Sequence, residues 1–283
     1  MQYAMVIDLQ KCVGCGACAL ACKTENNPQM RNKKQTFQMF NWADFVFKTE
    51  GKFPDVSYAA VPVLCNHCTE PLCKKRCPEP KALYKTEDGI TMYNYKYCIQ
   101  CRRCQEDCPY SAKDVEKEKE MYSVISFNEV GQETHEFYKD KMELIKGCTS
   151  SPAEVAGKAN AVPPHKHAYA YKDEKDYKNP KETKGKGDLK DVRPDGWIEK
   201  CHFCIHRVRR GEDPYCVVSC PSQARIFGDL ENPDSKVSQL IKKYKPARLK
   251  DNKGAWLSDK EIEKSTKPNV YYIRSFKPGA KTA

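Results

Sequence analysis

The sequence predicts an α+β protein in which two small cysteine-rich modules are nested, one inside the other along the chain. The 283 residues include 17 cysteines, and sixteen of these fall into four groups of four. The segments between the groups have the patterns of short strands and short helices. The length allows one large or two small domains. With 40% hydrophobic and 10% aromatic residues, disorder throughout the chain is excluded.

The cysteine groups have closely related spacings. The first and third have the spacing C-x2-C-x2-C-x3-C, the second C-x2-C-x4-C-x3-C, and the fourth C-x2-C-x11-C-x3-C. Proline follows the last cysteine of the second, third and fourth groups. The remaining cysteine, Cys148, is predicted to be a spare thiol. In chain order the groups are Cys12, Cys15, Cys18 and Cys22; Cys65, Cys68, Cys73 and Cys77; Cys98, Cys101, Cys104 and Cys108; and Cys201, Cys204, Cys216 and Cys220.

Three chemistries compete for these cysteines. A disulfide framework suits short secreted chains, and zinc ribbons use isolated C-x2-C pairs that need no third or fourth cysteine nearby. The run C-x2-C-x2-C-x3-C followed by proline is typical of bacterial ferredoxins, which bind [4Fe–4S] clusters. The first and third groups have this run, the third with its proline, and the recurrence of four related groups predicts four [4Fe–4S] clusters as the cofactors. His67, His202 and His206 lie beside these cysteines, but each group already supplies four thiols, so we expect them to surround the clusters without ligating iron.

The gaps between the groups predict which cysteines share a cluster. In two-cluster ferredoxins the fourth cysteine of one run ligates the neighbouring cluster. Only 20 residues separate the second and third groups, against 42 between the first and second and 92 between the third and fourth. The second and third groups therefore pair, and by exclusion so do the first and fourth. The predicted iron ligands are set I (Cys12, Cys15, Cys18, Cys220), set II (Cys22, Cys201, Cys204, Cys216), set III (Cys65, Cys68, Cys73, Cys108) and set IV (Cys77, Cys98, Cys101, Cys104).

This pairing specifies the fold class and the domains. We expect two nested bacterial-type ferredoxin-like modules, each with two [4Fe–4S] clusters, and a long irregular insertion. The outer module would comprise residues 1–50 together with 196–245, and the inner module residues 51–111. Residues 112–195 would form the insertion, and residues 246–283 a C-terminal extension with a final strand.

The local patterns predict the elements around the cysteines. Gly14 and Gly16 would allow the backbone angles of a cluster loop, and each fourth cysteine is expected to begin a helix. Asp234 and Ser235 have the pattern of a helix N-terminus. The helix that follows would carry its apolar residues on one face. Strands are predicted at residues 4–7, 82–85, 90–93, 224–227 and 269–276, the second and third forming a hairpin.

The charge and hydropathy patterns argue against nucleic-acid binding, a membrane-spanning helix and a secretory signal. A net charge of +11 would ordinarily suggest nucleic acid. Four oxidised clusters with their thiolates contribute about −2 each, which lowers the total to about +3. The longest nearly apolar stretch, residues 58–65, has eight residues, whereas a membrane-spanning helix needs about 20. The first residues lack the pattern of a secretory signal.

The whole pattern resembles the iron–sulfur subunits of the molybdopterin-dependent dimethyl-sulfoxide-reductase family. The likeness covers the cysteine-bearing regions and the termini, and not the central insertion. The small subunits of respiratory arsenate reductases are especially similar. The passages that carry the resemblance are Met5–Cys15, Ala21–Asn27, Phe53–Val56, Leu64–Cys68, Ser235–Ile241 and Tyr272–Phe276.

The resemblance implies a function in electron transfer, with no catalytic residue in this chain. Its partners would be a large catalytic subunit with a bis-pterin-guanine-dinucleotide (bis-MGD) molybdenum site and a membrane quinol-oxidising subunit or a cytochrome. Set I would lie nearest the catalytic subunit and set IV nearest the quinol or cytochrome. Export to the periplasm with a signal-bearing partner is implied; the cytoplasm is the alternative. Alternative assignments are a polysulfide, thiosulfate or tetrathionate reductase subunit, or a cytoplasmic polyferredoxin of a formate dehydrogenase or hydrogenase.

The charge argument predicts that the protein with its clusters does not bind nucleic acid tightly. Cluster charge would compensate much of the basic excess, so no steeply salt-dependent affinity for duplex DNA is expected. Fluorescence anisotropy with a labelled duplex, over a series of salt concentrations, measures this. Submicromolar affinity at physiological salt that disappears at higher salt would contradict the prediction.

Overall fold

The computed structural model describes most of the cysteine-bearing regions. The predictions for Cys148 and for most of the insertion lie outside the described residues. The described residues are 1–26, 42–94, 97–111, 123–127 and 198–274.

Short strands and short helices are both present and the strand pairs are mainly antiparallel, as expected for the α+β class. In chain order they are β1 (Tyr3–Asp8), α1 (Ala17–Asn26), β2 (Ala43–Lys52), β3 (Asp55–Leu64), α2 (Leu72–Arg76), β4 (Leu83–Lys85), β5 (Thr91–Tyr93), α3 (Arg103–Glu106), β6 (Ile125–Phe127), β7 (Ile198–Lys200), α4 (Ile205–Val208), α5 (Tyr215–Val218), β8 (Arg225–Asp229), α6 (Lys236–Lys243), α7 (Asp259–Ile262) and β9 (Val270–Ile273).

The largest sheet joins the two ends of the described residues. β1 is its central strand, antiparallel to β8 and parallel to β9. Residues 4–7 of β1 are completely buried, because both faces of the sheet are covered. Met5 and Ile7 face the cysteine-rich core, whereas Ala4 and Val6 face α6. The predicted strands at 4–7 and 224–227 are therefore confirmed, and the predicted final strand is confirmed as β9.

Helix α6 covers one face of this sheet. Ser235 is its N-cap, and the Ser235 hydroxyl accepts a hydrogen bond from the backbone N–H of Ser238 at 3.1 Å. Val237 is completely buried against β1, and Leu240 and Ile241 pack beside it. This is the amphipathic helix that the sequence predicts.

An antiparallel hairpin, β2–β3, with ten residues in each strand, was not predicted from the sequence. Its base is buried and its far end is exposed. The hairpin crosses the predicted module boundary between residues 50 and 51. β3 ends at Leu64, immediately before Cys65, so the hairpin fixes the start of the second cysteine group.

Two further antiparallel strand pairs position cysteine groups. The predicted pairing of β4 with β5 is confirmed. β6 pairs with β7, Ile125 standing opposite Lys200. β6 lies inside the insertion predicted to be irregular, so that prediction is wrong at residues 125–127. The pairing buries all six residues of the two strands and brings Cys201 towards the second cysteine group.

The helices of the cysteine groups begin earlier than predicted. The third cysteine of each group, and not the fourth, occupies the second position of a helix: Cys18 in α1, Cys73 in α2, Cys104 in α3 and Cys216 in α5. The fourth cysteine follows four residues later in every group. Since an α-helix has 3.6 residues per turn, the third and fourth thiols are about one turn apart.

Asn269, at the start of β9, ties this strand to the second cysteine group. Its side-chain amide donates to the His67 carbonyl at 2.9 Å, and its backbone N–H donates to the Asn66 carbonyl at 2.9 Å. Asn269→Ala leaves the buried His67 carbonyl without this donor, at a cost of about 1–3 kcal/mol. We expect the variant to lose iron to a chelator faster than the wild type.

The matched control is Gln239→Ala on the exposed side of α6, where the side-chain amide donates to the Asp234 carbonyl at 3.2 Å. Exposed substitutions of this kind change stability by less than about 0.5 kcal/mol. Equal rates of iron loss in the two variants would show that Asn269 does not secure the loop.

Candidate metal centres

The thiols of set III line one cavity. Cys65, Cys68, Cys73 and Cys108 all lie in its lining. The Cys68 and Cys108 thiols also interact electrostatically with Cys65, and Cys73 interacts with both Cys65 and Cys108. The four predicted members of this set are therefore brought together.

The thiols of set IV also lie close together. Cys104 interacts electrostatically with Cys77, Cys98 and Cys101, and Cys77 interacts with Cys98 and Cys101. Cys77 comes from the second cysteine group and the other three come from the third, as the exchange of fourth cysteines requires.

The outer sets draw on residues that are far apart in the sequence. Cys22 interacts electrostatically with Cys201, Cys204 and Cys216, the other members of set II. In set I, Cys12 interacts with Cys18 and Cys220. Cys15 is exposed and lies between Gly14 and Gly16 in the same loop.

Three thiol pairs connect the four sets in a series. Cys18 of set I interacts with Cys216 of set II. Cys65 of set III interacts with Cys201 of set II. Cys73 of set III interacts with Cys104 of set IV. The order is thus I–II–III–IV.

Exposure follows this order. All eight thiols of sets II and III are buried, whereas Cys15 of set I and Cys101 of set IV are exposed. The two middle sets are therefore shielded from water, and each terminal set reaches the surface.

The first two cysteines of every group enclose the same backbone turn. The residue before the second cysteine has a positive φ in all four groups: 66° at Gly14, 41° at His67, 60° at Gln100 and 54° at Phe203. This conformation costs a non-glycine residue about 1–2 kcal/mol. It turns backbone N–H groups towards sulfur, since Phe203 N lies 3.4 Å from Cys201 Sγ.

Burial makes the free thiolates of sets II and III unfavourable. It raises the pKa of Cys68, Cys73, Cys108 and Cys201 to about 12. These thiols are therefore neutral at pH 7 unless a metal displaces their protons, and metal binding and folding are coupled. Cys220 differs: burial acts to raise its pKa, but Ser222 and the N–H groups of Ala224 and Arg225 lower it overall.

Polar side chains surround the thiols and fit the sulfur-rich group that the sequence predicts. The Asn26 amide lies 3.6 Å from both Cys22 Sγ and Cys204 Sγ. The side chains of Asn66 and Thr91 line the set III cavity, and the Asn66 amide and the Thr91 hydroxyl are buried without a hydrogen-bond partner among the described residues. Donors left unpaired in this way would be satisfied by the sulfides of a cluster.

The three histidines have contacts other than thiols. His67 Nδ1 accepts a hydrogen bond from the Thr91 N–H at 3.1 Å, and its ring stacks on Phe203. His206 Nε2 lies 2.7 Å from Glu25 Oε1, and His202 Nδ1 accepts from the Ile205 N–H. Within the described ranges, no three His, Cys, Asp or Glu side chains are placed to hold a single metal ion.

Comparison with known proteins identifies the chemistry of these sites. A 4Fe-4S dicluster domain family matches residues 56–128 and 188–230, and a 4Fe-4S binding domain family matches residues 3–24. The sequence is 41% identical to the arsenate respiratory reductase iron-sulfur subunit of a Shewanella species, over the full length of both proteins. This protein belongs to the iron–sulfur subunits of the dimethyl-sulfoxide-reductase family.

Other members of this family of electron-transfer subunits are also similar. The sequence is 32% identical to a putative dimethyl sulfoxide reductase iron-sulfur subunit of Halobacterium salinarum, covering 96% of this protein and 78% of the relative. It is 30% identical to a selenate reductase subunit of Mesobacillus selenatarsenatis, covering 96% and 72%. The predicted resemblance is confirmed. The cofactors are 4Fe–4S clusters, as predicted in preference to zinc sites or a disulfide framework.

Two further structural features concern the surroundings of the thiols and the character of the helices. Arg225 is a buried cation at the contact between sets I and II, with Nη1 3.9 Å from Cys216 Sγ and an electrostatic interaction with Cys18. None of the helices in the described parts of the sequence has the length and apolar character to cross a membrane.

The exposure of Cys101 generates a specific prediction. Cys101→Trp removes one thiol of set IV but leaves Cys77, Cys98 and Cys104, and a large side chain has room at the surface. We expect a three-iron cluster in place of the cubane at this site, with the other clusters intact. Electron paramagnetic resonance of the oxidised protein would then show a new signal, because an oxidised cubane is silent. A silent spectrum with unchanged iron content would show that Cys101 is not a ligand.

Proposed function

We propose that this protein is the electron-transfer subunit of a respiratory arsenate reductase and carries four [4Fe–4S] clusters in series. The observation that carries the proposal is the order of the thiol sets, I–II–III–IV, with buried sets in the middle and exposed sets at the ends. When bound, the clusters supply one-electron redox centres along this line. No described residue outside the sets is needed as a ligand.

In this proposal each set holds one cluster: Cys12, Cys15, Cys18 and Cys220 the first, Cys22, Cys201, Cys204 and Cys216 the second, Cys65, Cys68, Cys73 and Cys108 the third, and Cys77, Cys98, Cys101 and Cys104 the fourth. A single helical turn separates the third and fourth cysteines of every group. That turn would keep two adjacent clusters at a short and fixed separation.

The nested modules are part of the same proposal. Pairing of β1 with β8 supports an outer module built from residues 1–50 and 196–245. Groups two and three, with β4 and β5 between them, support the inner module at 51–111. The extension at 246–283 would complete the outer module, since β9 pairs with β1.

The two exposed ends favour different partners. Around set I, exposed apolar side chains suit a permanent subunit interface: Val13 (72% exposed), Leu20 (69%) and Val218 (57%). We infer that this end contacts the large subunit with the bis-MGD site.

Around set IV the surface is basic. Among residues 74–81 and 97–107, six exposed cations outnumber three acidic residues. Such a surface steers an acidic redox partner towards the exposed Cys101, and we infer that this partner is a cytochrome or a membrane quinol-oxidising subunit. The cations are Lys74, Lys75, Arg76, Lys81, Arg102 and Arg103, and the acidic residues are Glu79, Glu106 and Asp107.

Arsenate is favoured over the substrates of these other reductases by the degree of similarity. The arsenate reductase subunit is 41% identical over both full lengths, whereas the related subunits of a tetrathionate reductase and a polysulfide reductase are each 24% identical. We infer the periplasmic face as the site of action, with export alongside a signal-bearing large subunit.

Anaerobic purification from the native host tests the function. We expect a molybdenum-containing large subunit to co-elute and the complex to oxidise a reduced viologen with arsenate as acceptor. A complex that reduces tetrathionate or polysulfide but not arsenate would overturn the substrate. Isolation of the protein with a formate dehydrogenase or hydrogenase would overturn the complex.

Iron analysis tests the cofactor count separately. Four cubanes give about 16 iron atoms and 16 acid-labile sulfides per chain. Cys108→Ser should lower the iron content by removing a set III ligand, whereas the matched variant Cys148→Ser should retain the full content. Equal iron contents in the two variants would contradict the ligand assignment.

A further inference from the structure

The junction between sets II and III is built from two equivalent loops. Cys65 and Cys201 are the first cysteines of their groups, and their thiols interact electrostatically. His67 and Phe203 occupy the same position in the two loops, both with positive φ, and their rings stack with centroids 3.7 Å apart. The inner and outer cysteine groups thus meet face to face at this point.

A buried lysine bridges this junction. Lys200 is the last residue of β7, and its side chain is completely buried. Its ammonium group donates to the Cys201 carbonyl at 2.8 Å, to the Thr91 carbonyl, and to Cys65 Sγ at 3.5 Å. An ammonium group has three N–H donors, so all three are used, two by backbone carbonyls and one by a predicted cluster ligand.

The Lys200 charge acts on both sides of the junction. Burial raises the pKa of Cys73 in set III and of Cys201 in set II, and the Lys200 ammonium acts in the opposite direction on both thiols. Because these groups are buried, solvent screens the charge only weakly, so its effect on both sets is strong.

We propose that Lys200 raises the reduction potentials of the two middle clusters together. Reduction adds negative charge to a cluster, and a fixed cation with an N–H···S hydrogen bond stabilises the reduced form. The proposal rests on the assignment of sets II and III as cluster ligands. Its consequence is that electrons cross from the outer to the inner cysteine groups between two centres whose potentials the same cation raises.

Lys200→Met tests the proposal, because methionine keeps an unbranched apolar chain and removes the charge. In a potentiometric titration followed by electron paramagnetic resonance, we expect two of the four potentials to become more negative and the other two to stay unchanged. The equilibrium constant for one-electron reduction should fall at least about tenfold at each affected cluster, or about 59 mV.

Three variants serve as controls. The Lys85 ammonium donates to the Cys68 carbonyl at 2.9 Å and interacts with Cys65 and Cys68 of set III. Lys85→Met should therefore shift one potential, not two. Lys245 forms an exposed ion pair with Asp259, and Lys245→Met should shift none. Lys200→Arg keeps the charge, so all four potentials should stay close to those of the wild type.

The outcomes distinguish the assignment of the cluster ligands from the effect of Lys200 on the potentials. Iron content measured on every variant tests the ligand assignment independently of the potentials. Full iron with four unchanged potentials in Lys200→Met would overturn the role of Lys200 and leave the cluster assignment standing. An equal shift of all four potentials would also overturn it. If Lys200→Met and Lys200→Gln both lose iron while Lys200→Arg retains it, Lys200 is a structural residue and the proposal fails.

Discussion

Burial of the cysteine thiols is the constraint on which the rest of the structure depends. Among the described residues, nine cysteines belong to the main buried cluster of the protein. Burial raises the pKa of four thiols, Cys68, Cys73, Cys108 and Cys201, to about 12. These four are therefore not stable as anions by themselves. The proposed iron–sulfur clusters would convert these thiols into ligands and would occupy the space between them. The short strands and helices are long enough for this purpose because they only have to position thiols.

Much of this organisation could be predicted from sequence, because it is local. The interval of four residues between the third and fourth cysteines specifies a helical turn, and Ser235 marks the start of α6. β1 and β8 were evident as short apolar runs. The helices were predicted to begin too late, at the fourth cysteine, because proline after that cysteine suggests a first helical position. In the structure this proline instead follows the end of the helix.

What could not be predicted depends on contacts between distant residues. The far half of the β2–β3 hairpin is exposed and polar, so it lacks the strong alternation of a half-buried strand. A positive φ was not predicted at His67, Gln100 and Phe203, because none of them is glycine. They stand in their groups where Gly14 stands in the first group, and this equivalence is the signal that could have predicted their conformation. Lys200 has the sequence surroundings of an ordinary charged strand residue. Only the pairing of β7 with β6 and the approach of Cys65 bury it.

The position of β1 between β8 and β9 has a consequence for how the protein is made. β1 is synthesised first, but its two neighbours in the sheet end at Asp229 and Ile273, so the strand cannot pair until almost the entire sequence has been translated. Sets I and II likewise need cysteines beyond residue 200, whereas sets III and IV are complete once Cys108 has left the ribosome. Maturation would therefore proceed from the inside outwards, with the middle of the sequence acquiring its metal while both outer parts are still open. Contacts of such large sequence separation form slowly, so the pairing of β1 with β9 would be among the last to form.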